Sequence, residues 1–289
     1  MPDMYLSLRN LPDDLRKTAE DTAAAIARSV KGVGQVYYLC STREASESWS
    51  CFPAMDRTYH YDSLFFMLAL LKEPVTTRLE DLEDQLDRIC QTDLQTTVIT
   101  AMPLIQASRL IKARDRFYGS ICRSELLLYH DGSSPLPDAI APEQLSSWMP
   151  EDSYYWQTAF DQGCRCIQEA TQHLQEQAWQ QTVLALRQAA TCFLSAALFS
   201  ATGFAAPLHY SPAKLLNLCT MFTAQFFQIF PGTPDKEEAM SALIFHPDQK
   251  DLVHLSSEHT HYLHCLFKRF KKLKETVQQQ YNQLRVLHH

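Results

Sequence analysis

Hydrophobic residues recur at helical spacing through the segment 178–202, which is almost free of charge. Trp179, Val183 and Leu186 begin its main apolar face, and Arg187 is the single ionised residue in the segment. A helix this apolar is normally enclosed by other helices. Glutamines and serines interrupt it too often for a membrane span. The pattern therefore predicts the central helix of a helical bundle and no association with a membrane.

The helical pattern continues on both sides of this segment. Each further helix begins near a serine or threonine that can cap it, and two of these caps are followed by proline. The predicted helices are 153–175, 178–202, 211–230, 233–245 and a final helix from Ser256 or Ser257. The apolar stripe of the final helix consists of Leu263, Phe267, Phe270, Leu273, Val277, Tyr281 and Leu284. Helices joined by short connections predict an all-α bundle over 151–289.

In the first part of the chain, segments with the hydrophobic spacing of a helix alternate with segments typical of a strand. Predicted helices cover 12–30, 76–91 and 104–117, and predicted strands cover 35–40, 59–71, 96–102 and 125–130. The strand at 59–71 has an apolar second half, which indicates burial on both faces, and the polar stretch 41–50 is predicted to be a loop or a short helix. This order predicts an α+β domain over 1–131, with a small mixed sheet and helices, and a proline-containing linker over 132–150.

Composition narrows the class of protein. The chain has 289 residues and a net charge of −7, which disfavours a protein whose main task is to coat nucleic acid. Its nine cysteines form no CxxC pair, and no apolar signal segment precedes them. We therefore expect a reducing compartment, the cytoplasm, with the cysteines acting as small apolar packing residues.

The densest positive charge lies in the final helix. The cations there are Lys268, Arg269, Lys271, Lys272 and Lys274. Phe270 and Leu273 lie between them and keep the run on a packed helix. The alternatives are a solvated helix face and a surface that contacts phosphates or an acidic partner. A second basic group is made up of Arg109, Lys112, Arg114 and Arg116.

Four histidines lie near the start of the final helix: His254, His259, His261 and His264. His261 and His264 share a helix face, as two zinc ligands would. A solvated helix start is the competing interpretation, and a pH-sensitive contact is a third. We predict no metal site here.

The bundle resembles a HEPN domain (the nucleotide-binding helical domain of higher eukaryotes and prokaryotes) over about 153–285. The residues that carry the resemblance are Arg187-Gln188-Ala189-Ala190, Leu194, Ala196, Gly203, Pro207, His209 and Leu215-Leu216. The resemblance implies contacts with a nucleotide or RNA and makes Arg187 and His209 candidate binding residues. HEPN ribonucleases also carry an arginine a few residues before a histidine in the later helices. Here that spacing occurs at Arg123 and His130, in the strand region.

The first domain resembles the nucleotidyltransferase fold in the order of its elements. Active members of that family place a Gly-Ser or Gly-Gly turn after the first strand and two carboxylates on the next strand, where they hold two magnesium ions. Here the first predicted strand ends at Cys40-Ser41-Thr42 without glycine. Asp62 is present on the second strand, but His60 stands at the partner position. The resemblance therefore implies a degenerate domain without catalytic residues or cofactors.

Together these patterns predict a non-catalytic regulatory protein that binds a nucleotide, RNA or a protein partner. The alternative is a HEPN ribonuclease or a nucleotidyltransferase of the toxin–antitoxin or drug-modifying kind. A homodimer is also expected, because the first and central helices of the bundle carry apolar residues on more than one face. Those residues are Tyr154, Tyr155, Phe193 and Phe199.

Overall fold

The computed structural model describes residues 3–5, 8–48, 58–72, 78–92, 95–133, 135, 150–222, 224–230, 244–245 and 260–287. The chain divides into two compact units, 1–146 and 147–289. This division falls inside the segment 132–150. The first unit contains a mixed sheet with helices, and the described elements of the second unit are helices.

The first unit contains five described strands and four described α-helices. The strands are β1 (Asp3–Tyr5), β2 (Val33–Ser48), β3 (Thr58–Leu71), β4 (Gln95–Pro103) and β5 (Leu127–His130). The helices are α1 (Asp13–Ser29), α2 (Leu79–Cys90), α3 (Leu104–Lys112) and α4 (Arg116–Ile121). β3 pairs antiparallel with β2 and parallel with β4. β1 and β5 pair with β2 at different points along its length. The predicted mixed sheet is confirmed.

Helices cover both faces of β3. Phe65, Met67 and Ala69 belong to the same buried cluster as residues of α1 and α2. Phe66 points to the opposite face, where its ring lies 6.4 Å from that of Phe117 in α4. The prediction that the later part of this strand is buried on both faces is therefore confirmed.

Helix α2 lies beside β4, the last strand in the sheet order, and accepts hydrogen bonds from it. Glu83 Oε1 accepts from the Ala101 amide at 2.7 Å and from Thr100 Oγ1 at 3.1 Å. One turn later, Asp87 Oδ1 accepts from the Ile99 amide at 2.7 Å. Carboxylates thus satisfy backbone donors that no further described strand pairs with.

Two predictions in the first unit are wrong. The stretch 41–50 is not a loop or helix as far as Ser48, because β2 continues through it and pairs with the first half of β3. The helix predicted over 104–117 is broken in two. Arg114 adopts a left-handed conformation with φ of 62°, and Asp115 begins α4 by accepting a hydrogen bond from the Tyr118 amide.

The second unit contains α5 (Pro150–Gln175), α6 (Trp179–Thr202), α7 (Pro212–Thr220), α8 (Ala224–Ile229) and α9 (Thr260–Leu287). A tight turn reverses the chain between α5 and α6, with Gln177 at φ of 57°. The two helices approach closely at Gly163. A Cβ atom there would lie 2.8 Å from Cε1 of Phe193, so this contact requires glycine.

α6 is the enclosed central helix that the pattern predicts. Ala189, Ala190, Leu194 and Ala196 are fully buried, so the alanine-rich part of the HEPN-like motif forms core. The helix is long and apolar enough to cross a membrane, but 67% of its most apolar stretch is buried inside the protein. Such burial is typical of the core helix of a bundle.

Other helix boundaries in this unit differ from the predictions. The helix predicted over 211–230 ends at Thr220 and resumes at Ala224. Most of the helix predicted over 233–245 lies outside the described residues, as do the caps Ser256 and Ser257. The four apolar residues on which the homodimer prediction rests are largely covered within the unit. Phe193 and Phe199 are buried, Tyr155 packs on Phe199, and Tyr154 alone of the four is 75% exposed.

Candidate functional site

Helix α9 presents one packed face and one charged face. The packed face is made up of Leu263, Leu266, Phe270, Leu273, Val277 and Tyr281, all buried. Phe267, which the periodicity assigns to the same stripe, is only half-buried. The side chain of Leu284 lies outside the described part of the chain. The stripe is thus confirmed except at these two positions.

The cations of the final helix lie on its outer face. Lys268, Lys271, Lys272 and Lys274 are exposed, and Arg269 is half-buried. None of the four lysines forms an ion pair with a residue that the structure describes. Together these four lysines form the lysine face of α9.

A cleft of about 350 Å³ lies between α5 and α9. Thr171, Leu174 and Gln175 line it from the last turns of α5. Thr260, His264 and Phe267 line it from the first turns of α9. It combines an aromatic ring and an aliphatic side chain with hydroxyl, amide and imidazole groups. Sequence reasoning missed this cleft because its two walls are distant in sequence.

The two residues that the HEPN resemblance selects do not line the cleft. Arg187 is half-buried on α6. His209 is exposed in the loop after α6, and its ring meets that of Tyr210 edge-on at 5.1 Å. Gly203 begins this loop in the left-handed conformation, with φ of 80°. Tyr210 lies in the same loop, and Nζ of Lys214 in α7 lies 4.4 Å from the centre of its ring.

The arginine–histidine pair of the first unit has local structural contacts. Arg123 Nε donates to the carbonyl of Gly119 at 3.5 Å. His130 ends β5, and its Nδ1 accepts from the Gly132 amide at 3.2 Å. Both side chains are half-buried. Each residue therefore forms a hydrogen bond with a backbone group close to it in sequence.

The second basic group is divided between two helices and the turn that joins them. Arg109 and Lys112 are exposed on α3, and Arg114 is exposed in the turn. Arg116 begins α4 and is half-buried.

Asp62 has a second acidic residue opposite it in the sheet. The antiparallel register pairs it with Glu44 of β2, whereas His60 pairs with Ser46. The structure describes the backbone, not the side chains, of these four residues. Glu44 lies in the stretch that the polar pattern predicts to be a loop or helix, so the pattern alone places a single carboxylate, Asp62, on the sheet here.

Five of the eight described thiols are buried, as expected of packing residues, and Cys164, Cys192 and Cys265 are half-buried. Cys40, Cys90, Cys122, Cys166 and Cys219 are buried. Burial raises the pKa of Cys192 to about 11, and it raises that of Cys122 to about 12. Such thiols are weak nucleophiles at neutral pH.

Two histidines near the start of α9 fall within the described residues. Both His261 and His264 are exposed, and His261 Nε2 lies 3.9 Å from Cys265 Sγ. Among the described residues no group of three or more potential metal ligands occurs. His254 and His259 lie outside them.

Comparisons with known protein families, with curated proteins and with solved structures find no match for this chain.

Proposed function

We propose that the protein is a non-catalytic regulatory protein whose second unit binds a phosphate-bearing ligand, RNA or a nucleotide, on α9. The observation that carries this proposal is the lysine face, which is exposed and has no ion pair with a described residue. In a chain with a net charge of −7, phosphates concentrate only where local cations outweigh the overall field. The lysine face is such a place.

The spacing of the lysines also favours a ligand over a merely solvated face. Lys268 is three residues before Lys271 and four before Lys272, and Lys271 is three before Lys274. Like charges at these spacings repel one another on a helix and lower its stability. No acidic residue lies within the run, and Glu275, three residues after Lys272 and four after Lys271, offsets only part of the repulsion. A bound polyanion would relieve it.

Changing Lys271, Lys272 and Lys274 together to glutamate is expected to abolish binding of single-stranded RNA. All three side chains are exposed, so far-UV circular dichroism should remain unchanged. With the wild-type protein, the logarithm of the binding constant should fall with the logarithm of salt concentration with a slope of about −2, since each of three contacts contributes roughly −0.7. Fluorescence anisotropy of a labelled oligonucleotide measures both effects.

The matched control changes Arg109, Lys112 and Arg114 to glutamate in the first unit. This triple variant alters the net charge by the same amount, and its three side chains are also exposed. It should bind RNA nearly as tightly as the wild type. Loss of binding in this variant, with binding retained in the α9 variant, would assign the ligand to the first unit. Wild-type protein that binds neither RNA nor nucleotide would contradict the proposal and favour a protein partner.

We also propose that the first unit transfers no nucleotides. The support is that Cys40, Ser41 and Thr42 lie inside the continuous strand β2, where no turn of free amides is present to hold a triphosphate. Incubation with labelled nucleoside triphosphates, magnesium and candidate acceptors should give no labelled product. Magnesium-dependent labelling that is lost in both Asp62→Ala and Glu44→Ala would overturn this proposal.

A further inference from the structure

The cleft between α5 and α9 has the composition of a site for a planar ring. Phe267 is half-buried and offers an aromatic ring to the cleft, and Leu174 lines it from α5. The polar groups of Thr171, Gln175 and His264 also line it and can bond to the edge of a heterocycle. A volume of about 350 Å³ is near the lower limit for small-molecule pockets. It suits one ring system and not a long segment of chain.

The cleft also has positive charge beside it. Lys268 lies four residues after His264, and Lys271 lies four residues after Phe267, so each lysine is one turn from a cleft residue on the same side of α9. The turn of α5 that precedes Thr171 carries the uncharged residues Ile167 and Gln168 together with one acidic residue, Glu169.

The first turn of α9 adds a partial positive charge to one end of the cleft. Helix α9 begins at Thr260, which lines the cleft. The backbone amides of a helix start carry a partial positive charge. Positive charge therefore borders the cleft at the start of α9 and again more than two turns further along the helix, at Lys268 and Lys271.

We propose that the cleft holds the base of a nucleotide unit, free or at the end of an RNA strand, while Lys268 and Lys271 hold its phosphates. This inference rests on the proposed function, because it divides one ligand between the lysine face and the cleft. Phe267 supplies the stacking surface. Such a site differs from a surface that recognises phosphate alone, because inorganic polyphosphate has no ring to place in the cleft.

The test compares ATP with inorganic tripolyphosphate by isothermal titration calorimetry. Base stacking on an aromatic side chain contributes about 1–3 kcal/mol, so wild-type protein should bind ATP roughly 5- to 150-fold more tightly than tripolyphosphate. Thr171→Trp should fill the cleft from an exposed position. It should lower ATP affinity to that of tripolyphosphate and leave tripolyphosphate affinity unchanged.

Two further variants make the result specific. Gln172→Trp places the same bulk on an exposed neighbour that does not line the cleft, so it should keep the preference for ATP. Phe267→Leu retains most of the side-chain volume without the ring and should lower ATP affinity alone.

The outcomes separate the two proposals. Equal wild-type affinities for ATP and tripolyphosphate, both lost when the lysine face is changed to glutamate, would overturn the cleft and leave the lysine face as a phosphate site. Binding of RNA without binding of ATP would likewise overturn the cleft alone. Absence of binding to all three probes would overturn both proposals.

Discussion

Replacing Trp156 with alanine is expected to lower the free energy of unfolding of the second unit by about 3–5 kcal/mol. The indole is 1% exposed. Its ring centre lies 4.6 Å from that of Phe160 and 3.8 Å from that of Tyr281, in stacked geometry. Because Trp156 belongs to α5 and Tyr281 to α9, the stack joins helices that are far apart in sequence. Alanine would leave a cavity between these helices and remove both ring contacts.

A second substitution at this position separates ring packing from hydrogen bonding. The indole nitrogen of Trp156 is buried and has no hydrogen-bond partner among the described residues. Trp156→Phe therefore loses no hydrogen bond and keeps a six-membered ring. It should cost clearly less than the alanine change.

Urea unfolding followed by far-UV circular dichroism measures these differences. Tyr154→Ala is the matched control on the same helix, because Tyr154 is 75% exposed. Its effect should stay within about 0.5 kcal/mol of the wild type. Equal losses for Trp156→Ala and Tyr154→Ala would show that α5 and α9 do not pack as described here.

The sequence predicts best those elements whose own hydrophobic pattern shows that they are buried. α6 has apolar residues around most of its circumference and no proline or glycine before Gly203, so its length and its enclosure both follow from local pattern. The apolar second half of β3 is similar, because a short apolar run of this kind suits a strand covered on both faces.

The second half of β2 could not be predicted in this way. Residues 41–48 are mostly polar, and their strand conformation accompanies pairing with the first half of β3. Such pairing is non-local, and a single-strand pattern does not encode it. The error had a consequence for the candidate site, because it concealed Glu44 opposite Asp62.

The cleft was missed for a related reason. Phe267 falls at the right spacing for the buried stripe of α9, and helical period alone assigns it there. Whether it is covered depends on how closely α5 approaches. That separation is set by contacts such as Trp156 on Tyr281, between residues that are distant in sequence.

The breaks in the helices are not marked by the residues that usually interrupt a helix. Neither proline nor glycine occurs at Arg114 or at Met221, where the chain departs from the predicted helices. At the first break, Asp115 caps the next helix. The cap offsets part of the cost of the left-handed residue before it.

Replacing Glu83 with alanine is expected to lower the free energy of unfolding of the first unit by about 2 kcal/mol or more. The side chain is 1% exposed. Its Oε1 accepts from the Ala101 amide and from the Thr100 hydroxyl. The hydroxyl can rotate toward another acceptor, but the amide is fixed by the strand. Alanine would thus leave a buried donor of β4 without its acceptor, which costs about 1–3 kcal/mol, and would also open space beneath α2.

Two further substitutions determine which part of Glu83 matters. Glu83→Gln keeps an oxygen that can accept from Ala101, so it should recover much of the loss if the hydrogen bond is decisive. Glu80→Ala, at a more exposed acid on the same helix, should change stability by no more than about 0.5 kcal/mol. Chemical denaturation reports all three values. A buried carboxylate also carries a desolvation cost of its own. If that cost outweighed the two hydrogen bonds, alanine at position 83 would leave stability unchanged or raise it, and the edge of β4 would need another source of protection.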